Sequence, residues 1–335
     1  MKEGIIATQE PNNELRTRPF PACYLCGSQG EPLYSDLKDH LFGAPGEWSF
    51  KKCPNSECGL VWLDPMPIEE DIAKAYRDYY THKKESKDKA DLGLEIILKK
   101  IIKLLYKGIL LITLIRRERR RHNLMYLDKT KPGILIEVGC GDGSRLNKIR
   151  KLGWEVEGQE VDPQAANIAR SKYGLSVHMG DLKSLRLKES SFDAVIMNHV
   201  IEHVHDPVDI LRECHRILKP NGMLVVITPN IESYGHRYFG ADCRMLEPPR
   251  HIHLFSQKTL SRLAFEAGFQ SIKVWTTASD AESIARGSYK IRSYKTGGES
   301  VLSGFVSSIL FQMRASILHL FQPDSGEECV LKAYK

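Results

Sequence analysis

Glu137-Val138-Gly139-Cys140-Gly141-Asp142-Gly143 is the stretch that decides the fold. It follows the apolar run Ile134 to Val138 and precedes Ser144 to Lys151, which has helical character, so it marks a strand turning into a helix. Glycines suit that place because a backbone without side chains can turn sharply and let an adenosyl ligand lie directly against it. A dinucleotide fingerprint, G-x-G-x-x-G, requires its third glycine at position 144. That residue is Ser144, which weakens a hydride-transfer reading.

Downstream, the alternation of strand and helix continues. Glu155 to Gln159 reads as a strand and Pro163 to Tyr173 as a helix with Ala165, Ile168 and Ala169 inward. Phe192 to Met197 reads as a strand, Asp206 to Leu218 as a helix capped by Asp206 with Pro207 in its first turn, and Met223 to Thr228 as a strand. This pattern predicts an α/β, Rossmann-like, doubly wound parallel sheet. After it come a helix from Ser256 to Ala267 closed by Gly268, a strand near Ser271 to Trp275, an apolar helical stretch over 298–321 and a strand from Glu328 to Tyr334. Two acids fall at strand ends. Glu160 stands twenty-one positions after Gly139, where a carboxylate accepts ribose hydroxyls, and Asp181, in Gly180-Asp181-Leu182, stands where one accepts an adenine amino group.

Upstream, Cys23-x2-Cys26 and Cys53-x4-Cys58 supply two knuckles, enough thiolates for one tetrahedral zinc, the alternatives being free buried cysteines or a redox pair; a closed four-thiolate site makes that zinc structural. The other cysteines, Cys140, Cys214, Cys243 and Cys329, sit among apolar neighbours and read as core. Residues 1 to about 20 read as a loose tail, 68–80 as a helix opened by Pro67, and 83–91 as a charged linker. In 93–115, Lys99, Lys103 and Lys107 recur on one helical face with apolar residues around the rest. This gives either a helix packed on the catalytic part or one lying in a membrane interface. The run Arg116, Arg117, Arg119, Arg120, Arg121 either meets phosphates or forms a solvated basic face. With 335 residues, net charge +6 and an acidic N-terminus lacking a secretory layout, the expectation is a cytoplasmic protein. Its expected parts are a tail and zinc-binding module (1–66), a helical connector (67–128) and a catalytic domain (129–335) with a helical insertion at about 280–325.

Residues 131–275 resemble class I S-adenosylmethionine-dependent methyltransferases. They resemble most the branch carrying Ile201-Glu202-His203-Val204-His205-Asp206-Pro207, Leu218-Lys219-Pro220-Asn221-Gly222 and Thr228-Pro229-Asn230, which includes ubiquinone-type O-methyltransferases. The resemblance implies S-adenosylmethionine as cofactor. Glu137 would lie near its methionine amino group, Gly139, Cys140, Gly141 and Gly143 under it, Glu160 on the ribose, Asp181 and Leu182 at the adenine, and Asn198 and His199 along it. Met197-Asn198-His199-Val200 departs from the D/N-P-P-Y/F/W motif of base-directed amino methyltransferases, which argues against exocyclic base nitrogens as targets. In ubiquinone-type enzymes two acids and a histidine hold a divalent ion at a similar stretch. Here Asn198 or His199 takes the first acid's place, whereas hard cations prefer oxygen. The run Cys58 to Pro67 and Tyr76-Arg77-Asp78-Tyr79-Tyr80 resemble the N-terminal part of sugar C-methyltransferases.

Methyl transfer to a hydroxyl or carbon acid needs a proton acceptor. The candidates are His251 and His253 in Pro249-Arg250-His251-Ile252-His253, and His203, which with Glu202 either serves the chemistry or buttresses the loop. The expected acceptor is a small molecule, a glycan, sugar nucleotide or lipid-linked intermediate, with peripheral membrane contact through 93–115 and 298–321. The alternatives are an RNA methyltransferase, which lacks interleaved stacking aromatics here, and a non-catalytic cofactor-binding scaffold.

Overall fold

The computed structural model describes residues 15–76, 114–296 and 301–335. From the N-terminal side come strands β1 (Thr17–Arg18), β2 (Glu31–Leu37), β3 (Trp48–Lys52), β4 (Val61–Leu63) and β5 (Met66–Pro67), then helix α1 (Glu69–Ile72) running into a tighter turn over Ala73–Tyr76. The second stretch opens with α2 (Leu114–Asn123) and continues β6 (Ile134–Val138), α3 (Ser144–Arg150), β7 (Glu155–Glu160), α4 (Pro163–Tyr173), β8 (Ser176–Met179), β9 (Phe192–Asn198), α5 (Pro207–Ile217) and β10 (Leu218–Pro229). Then follow α6 (Tyr234–Phe239), β11 (His253–Leu254), α7 (Gln257–Glu266), β12 (Gln270–Thr277), α8 (Ala281–Thr296), α9 (Val301–Phe321) and β13 (Glu328–Tyr334).

Seven strands form the main sheet in the order β12-β13-β10-β9-β6-β7-β8. β13 is antiparallel to both of its neighbours, whereas β10, β9, β6, β7 and β8 pair in parallel. The central strands are apolar almost throughout because helices cover both faces, leaving no solvent side to alternate with. Helix starts follow local chemistry. Asp162 caps α4 by accepting from the Gln164 N–H, Asp206 caps α5 by accepting from the Asp209 N–H, and each helix has proline in its first turn. One expected inward residue is wrong: Ile168 faces solvent, and Ala166 takes its place beside Ala165 and Ala169. Chain order reverses between β6 and β9, so a crevice opens at their carboxyl ends, the place where open α/β sheets receive ligands.

The second sheet, β11-β4-β3-β2, changes the expected layout. β4 pairs with β11, which belongs to the later part of the chain, so the cysteine-bearing segment is not a separate appendage. Trp62 is fully buried and donates its indole N–H to the Phe20 carbonyl at 2.7 Å. The fully buried Arg250 bonds Asp39 at 2.9 Å and Glu247 at 3.1 Å and lies over the Phe42 ring. Within the stretch expected to be a loose tail, β1 pairs with β5 and Arg16 grips Asp71. The expected helix over 68–80 is realised as a short helix and turn to Tyr76. Its remainder, the 83–91 linker and the lysine-spaced 93–113 lie outside the described residues.

Candidate active site at the carboxyl edge of the sheet

The glycine loop leaves β6 with Gly139, Gly141 and Gly143 all in the left-handed region, at φ +66°, +54° and +75°. A Cβ on Gly139 would lie 2.5 Å from the Val200 side chain, and one on Gly143 would lie 2.6 Å from Leu175 and 2.8 Å from Ala169. At Gly141 nothing lies within 4 Å. Two of the glycines therefore permit packing, and the middle one faces open space, as a ligand cradle requires. The loop is tied down by its neighbours. The Glu160 carboxylate accepts from the N–H groups of Gly141 (2.8 Å), Val161 (2.8 Å) and Asp162 (2.9 Å). Gln159, which sequence reasoning passed over, accepts from the Gly139 N–H at 3.1 Å and donates to the Gly180 carbonyl at 2.6 Å, joining this loop to the one carrying Asp181. Asp181 is exposed and caps its own turn by accepting from Lys183 and Ser184, while Leu182 is buried. Cys140 is buried and points into the core against Gly158.

Glu137 is buried, and one of its carboxylate oxygens has no partner among the described residues. Arg145 comes only to 4.0 Å of the other, and burial pushes the carboxyl up to about 7. Asn198 also has a buried, unbonded side-chain oxygen. An anion and a carbonyl oxygen left without donors beside a glycine cradle suit a cationic, hydrogen-bonding ligand.

The histidines divide sharply. His199, at φ +53°, is held from both ring nitrogens, by Glu202 at 2.9 Å and Glu328 at 2.8 Å. Burial pulls its pKa down, but the two carboxylates override this and raise it to about 10. Glu202 is fully buried; burial opposes its ionisation, yet the bond from His199 lowers it to about 2, and its second oxygen accepts from the Thr228 hydroxyl at 2.9 Å. His122, on α2, stands 2.9 Å from the second oxygen of Glu328.

His203 and His251 present another arrangement. The Nδ1 of His203 lies 3.0 Å from the Arg250 carbonyl and 2.9 Å from the Tyr76 hydroxyl. A carbonyl can only accept, so Nδ1 carries a proton, and in the neutral ring Nε2 has the lone pair. The Nδ1 of His251 likewise donates to the Met245 carbonyl at 2.7 Å, and burial lowers the His251 pKa to about 4. Their rings meet edge to face at 4.7 Å. His253, the other candidate proton acceptor, has a different setting. It is fully buried on β11, its Nδ1 faces the Val204 carbonyl at 3.2 Å, and its ring lies beside Tyr24 and Phe255.

Glu202, His203 and His251 offer ligand atoms within 4.8 Å of one another. They do not fit a magnesium-like site: two of the donors are imidazoles, both Glu202 oxygens are already bonded, and His199, in the place of a first acid, has no free nitrogen. The four cysteines of the second sheet do converge. Cys23 and Cys58 sulfurs lie 3.5 Å apart, those of Cys26 and Cys53 3.4 Å apart, and all four fall within 4.8 Å, a donor set that fits tetrahedral zinc.

Residues 112–274 match the Methyltransferase domain family. Relatives include a probable S-adenosylmethionine-dependent methyltransferase of Mycolicibacterium smegmatis, 30% identical over 155 residues, 45% of this chain and 58% of that one. They also include a ubiquinone biosynthesis O-methyltransferase of Ruegeria pomeroyi, 33% identical over 130 residues, 37% of this chain and 52% of that one. The matched region thus spans a little over half the length of these relatives. Among solved structures, the phosphoethanolamine N-methyltransferase 2 of Haemonchus contortus superposes with a TM-score of 0.48 at 15% identity, over 90% of this chain and 71% of that one. Over residues 112–274, just under half of its length, this chain is thus similar to S-adenosylmethionine-dependent methyltransferases.

Proposed function

We propose that the protein methylates a hydroxyl or carbon acid on a glycan, sugar nucleotide or lipid-linked intermediate at the cytoplasmic face of a membrane, with His203 as proton acceptor. The observation that carries this reading is the pair His203 and His251, each with its Nδ1 proton fixed on a backbone carbonyl, beside the ionised Glu202 and next to the glycine loop. Val200, two residues before Glu202, packs on Gly139, so the cluster adjoins the cradle. Similarity to ubiquinone biosynthesis O-methyltransferases supports an oxygen acceptor. The resemblance of the cysteine-bearing segment to sugar C-methyltransferases supports a sugar.

S-adenosylmethionine supplies an electrophilic methyl group on a sulfonium when bound. Glu137 receives the ammonium of its methionine part, which gives the buried carboxylate the partner it lacks. Gly139, Gly141 and Gly143 let the backbone lie against it, and Glu160 has one lone pair, on the oxygen that accepts from Gly141, left for a ribose hydroxyl after its three backbone bonds. Asp181 and Leu182 border the adenine. His203 takes the acceptor's proton on Nε2 while Nδ1 stays bonded to the Arg250 carbonyl, and Glu202 stabilises the imidazolium so formed. His251 lines the same space in its neutral form. Cys23, Cys26, Cys53 and Cys58 hold a structural zinc whose closed coordination leaves it out of the chemistry.

Purified protein incubated with methyl-labelled S-adenosylmethionine and fractionated host extract tests this. Label should enter a glycan, sugar-nucleotide or lipid fraction, fail to enter with His203→Ala although the cofactor still binds, and fail with Glu137→Ala because binding is lost. Label in RNA would replace the acceptor class, and cofactor binding without transfer to any fraction would replace the enzyme by a scaffold.

A further inference from the structure

Helix α9 turns its apolar residues outward. Ser308, Ile309, Phe311, Gln312 and Ala315 are buried, whereas Leu310 (51% exposed), Arg314, Ile317 (56%), Leu320 (68%) and Phe321 (80%) face away from the protein. Positions 310, 314, 317 and 321 recur every three or four residues and therefore share one stripe. The outer stripe of a helix facing water is normally polar. This one holds a single cation, and α9 contains no aspartate or glutamate at all. Gly304–Phe321, with mean hydropathy 1.3, is apolar and long enough to cross a membrane by composition alone.

The packing of α9 argues for lying on a membrane instead of crossing it. Its inner face is fastened along the domain: Phe311 stacks on Tyr234 at 5.0 Å and meets Phe239 at 5.3 Å. Gln312 donates to the Ala278 carbonyl at 2.7 Å and accepts from the Glu282 N–H and from Arg119. The Arg119 bond, 2.9 Å long, hooks α2 onto the middle of α9. Arg116, Arg117 and Arg120 of α2 are exposed and form no ion pair among the described residues.

We propose that the outer stripe of α9 is the face on which the protein rests on an anionic lipid bilayer, with the helix parallel to the membrane plane, the exposed arginines of α2 adding to the positive charge of the molecule. Charge complementarity selects this occupant. A second copy would set Arg314 against a stripe that offers no acid, whereas a bilayer takes the apolar side chains into its acyl boundary and lets Arg314 reach phosphates at the headgroup level. The stripe runs out at Phe321, which with Gln322 and Pro323 walls a cleft of about 700 Å³ also lined by Lys52, Arg237, Glu232 and Asp324. Docking on this stripe rests on the membrane placement proposed above and supplies its contact surface, without depending on methyl transfer.

Flotation of the purified full chain with phosphatidylglycerol-containing vesicles and with phosphatidylcholine alone reads docking without reading methyl transfer. The expected result is flotation with the anionic vesicles, weakened by salt. The triple variant Leu310→Glu, Ile317→Glu, Phe321→Glu should float about tenfold less or worse while keeping the wild-type melting temperature and cofactor affinity. Wild type that stays at the bottom with anionic vesicles overturns the proposal. So does a folded triple variant that floats as well as wild type, or a wild-type dimer in analytical ultracentrifugation that the variant splits while neither binds vesicles.

Discussion

His199 has a lone pair on neither nitrogen: it is an imidazolium clamped by Glu202 and Glu328, and the same clamp holds the loop after β9 in its left-handed turn. Its raised pKa stabilises the fold fully below the unfolded value of 6.5, and that contribution is lost as pH rises toward about 10. His251 and His253 work in the other direction. Burial lowers both to about 4, so they stay neutral when folded, and stability falls as pH drops from 6.5 toward that value. The opposing contributions of these histidines cross near pH 6.5, so in urea unfolding His199→Gln should make the alkaline limb less steep while leaving the acid limb. Glu137 permits a second test, because its charge is poorly compensated until a ligand arrives. Glu137→Gln should stabilise the ligand-free protein to thermal unfolding yet weaken S-adenosylmethionine binding measured by calorimetry. Loss of a charge-assisted bond worth about 1.5–3 kcal/mol corresponds to roughly ten- to hundredfold in Kd.

Among the elements, the glycine loop separates packing from binding. Gly139→Ala and Gly143→Ala meet neighbours below 3 Å, at about 1–3 kcal/mol, and carry the left-handed backbone strain of about 1–2 kcal/mol as well, both of which denaturant unfolding should read. Gly141→Ala meets nothing, so its cost should be only the backbone strain of about 1–2 kcal/mol, with the larger loss appearing in cofactor affinity. This loop, the strands beside it, and the caps Asp162 and Asp206 were legible in the sequence because each rests on residues close together in the chain. The four-cysteine cluster was legible because thiolates have few other reasons to gather. What could not be read joins distant residues: Trp62 with His253 through β4 and β11, Tyr76 with His203, His122 with Glu328, and Arg250 with Asp39. Such contacts depend on how sheets and loops stack, and no local periodicity encodes them. The same limit misplaced His253, whose motif reads like that of His251 although strand pairing buries it. Gln159 was missed for another reason: a polar residue inside a strand gives no signal until the loops it bridges are in place.

At the scale of the whole molecule, the two sheets meet at the candidate site. The glycine loop belongs to the main sheet, while the chain segment that carries His251 ends in β11, an edge strand of the second sheet. Cys58 also offers its carbonyl to Thr259 at 2.9 Å, at the start of α7. Stripping metal with a chelator, or Cys53→Ser, should therefore lower the melting temperature and abolish methyl transfer while calorimetric S-adenosylmethionine binding persists at reduced temperature. The antiparallel β13, wedged between β10 and β12, bears on synthesis. Glycine loop, β9 and β10 all leave the ribosome before it, but Glu328, which completes the clamp on His199, arrives only with residues 328–334. A nascent chain can assemble the parallel half of its sheet early, as domains form during translation. Until β13 threads in between β10 and β12, that chain has its glycine loop but lacks the Glu328 half of the clamp on His199.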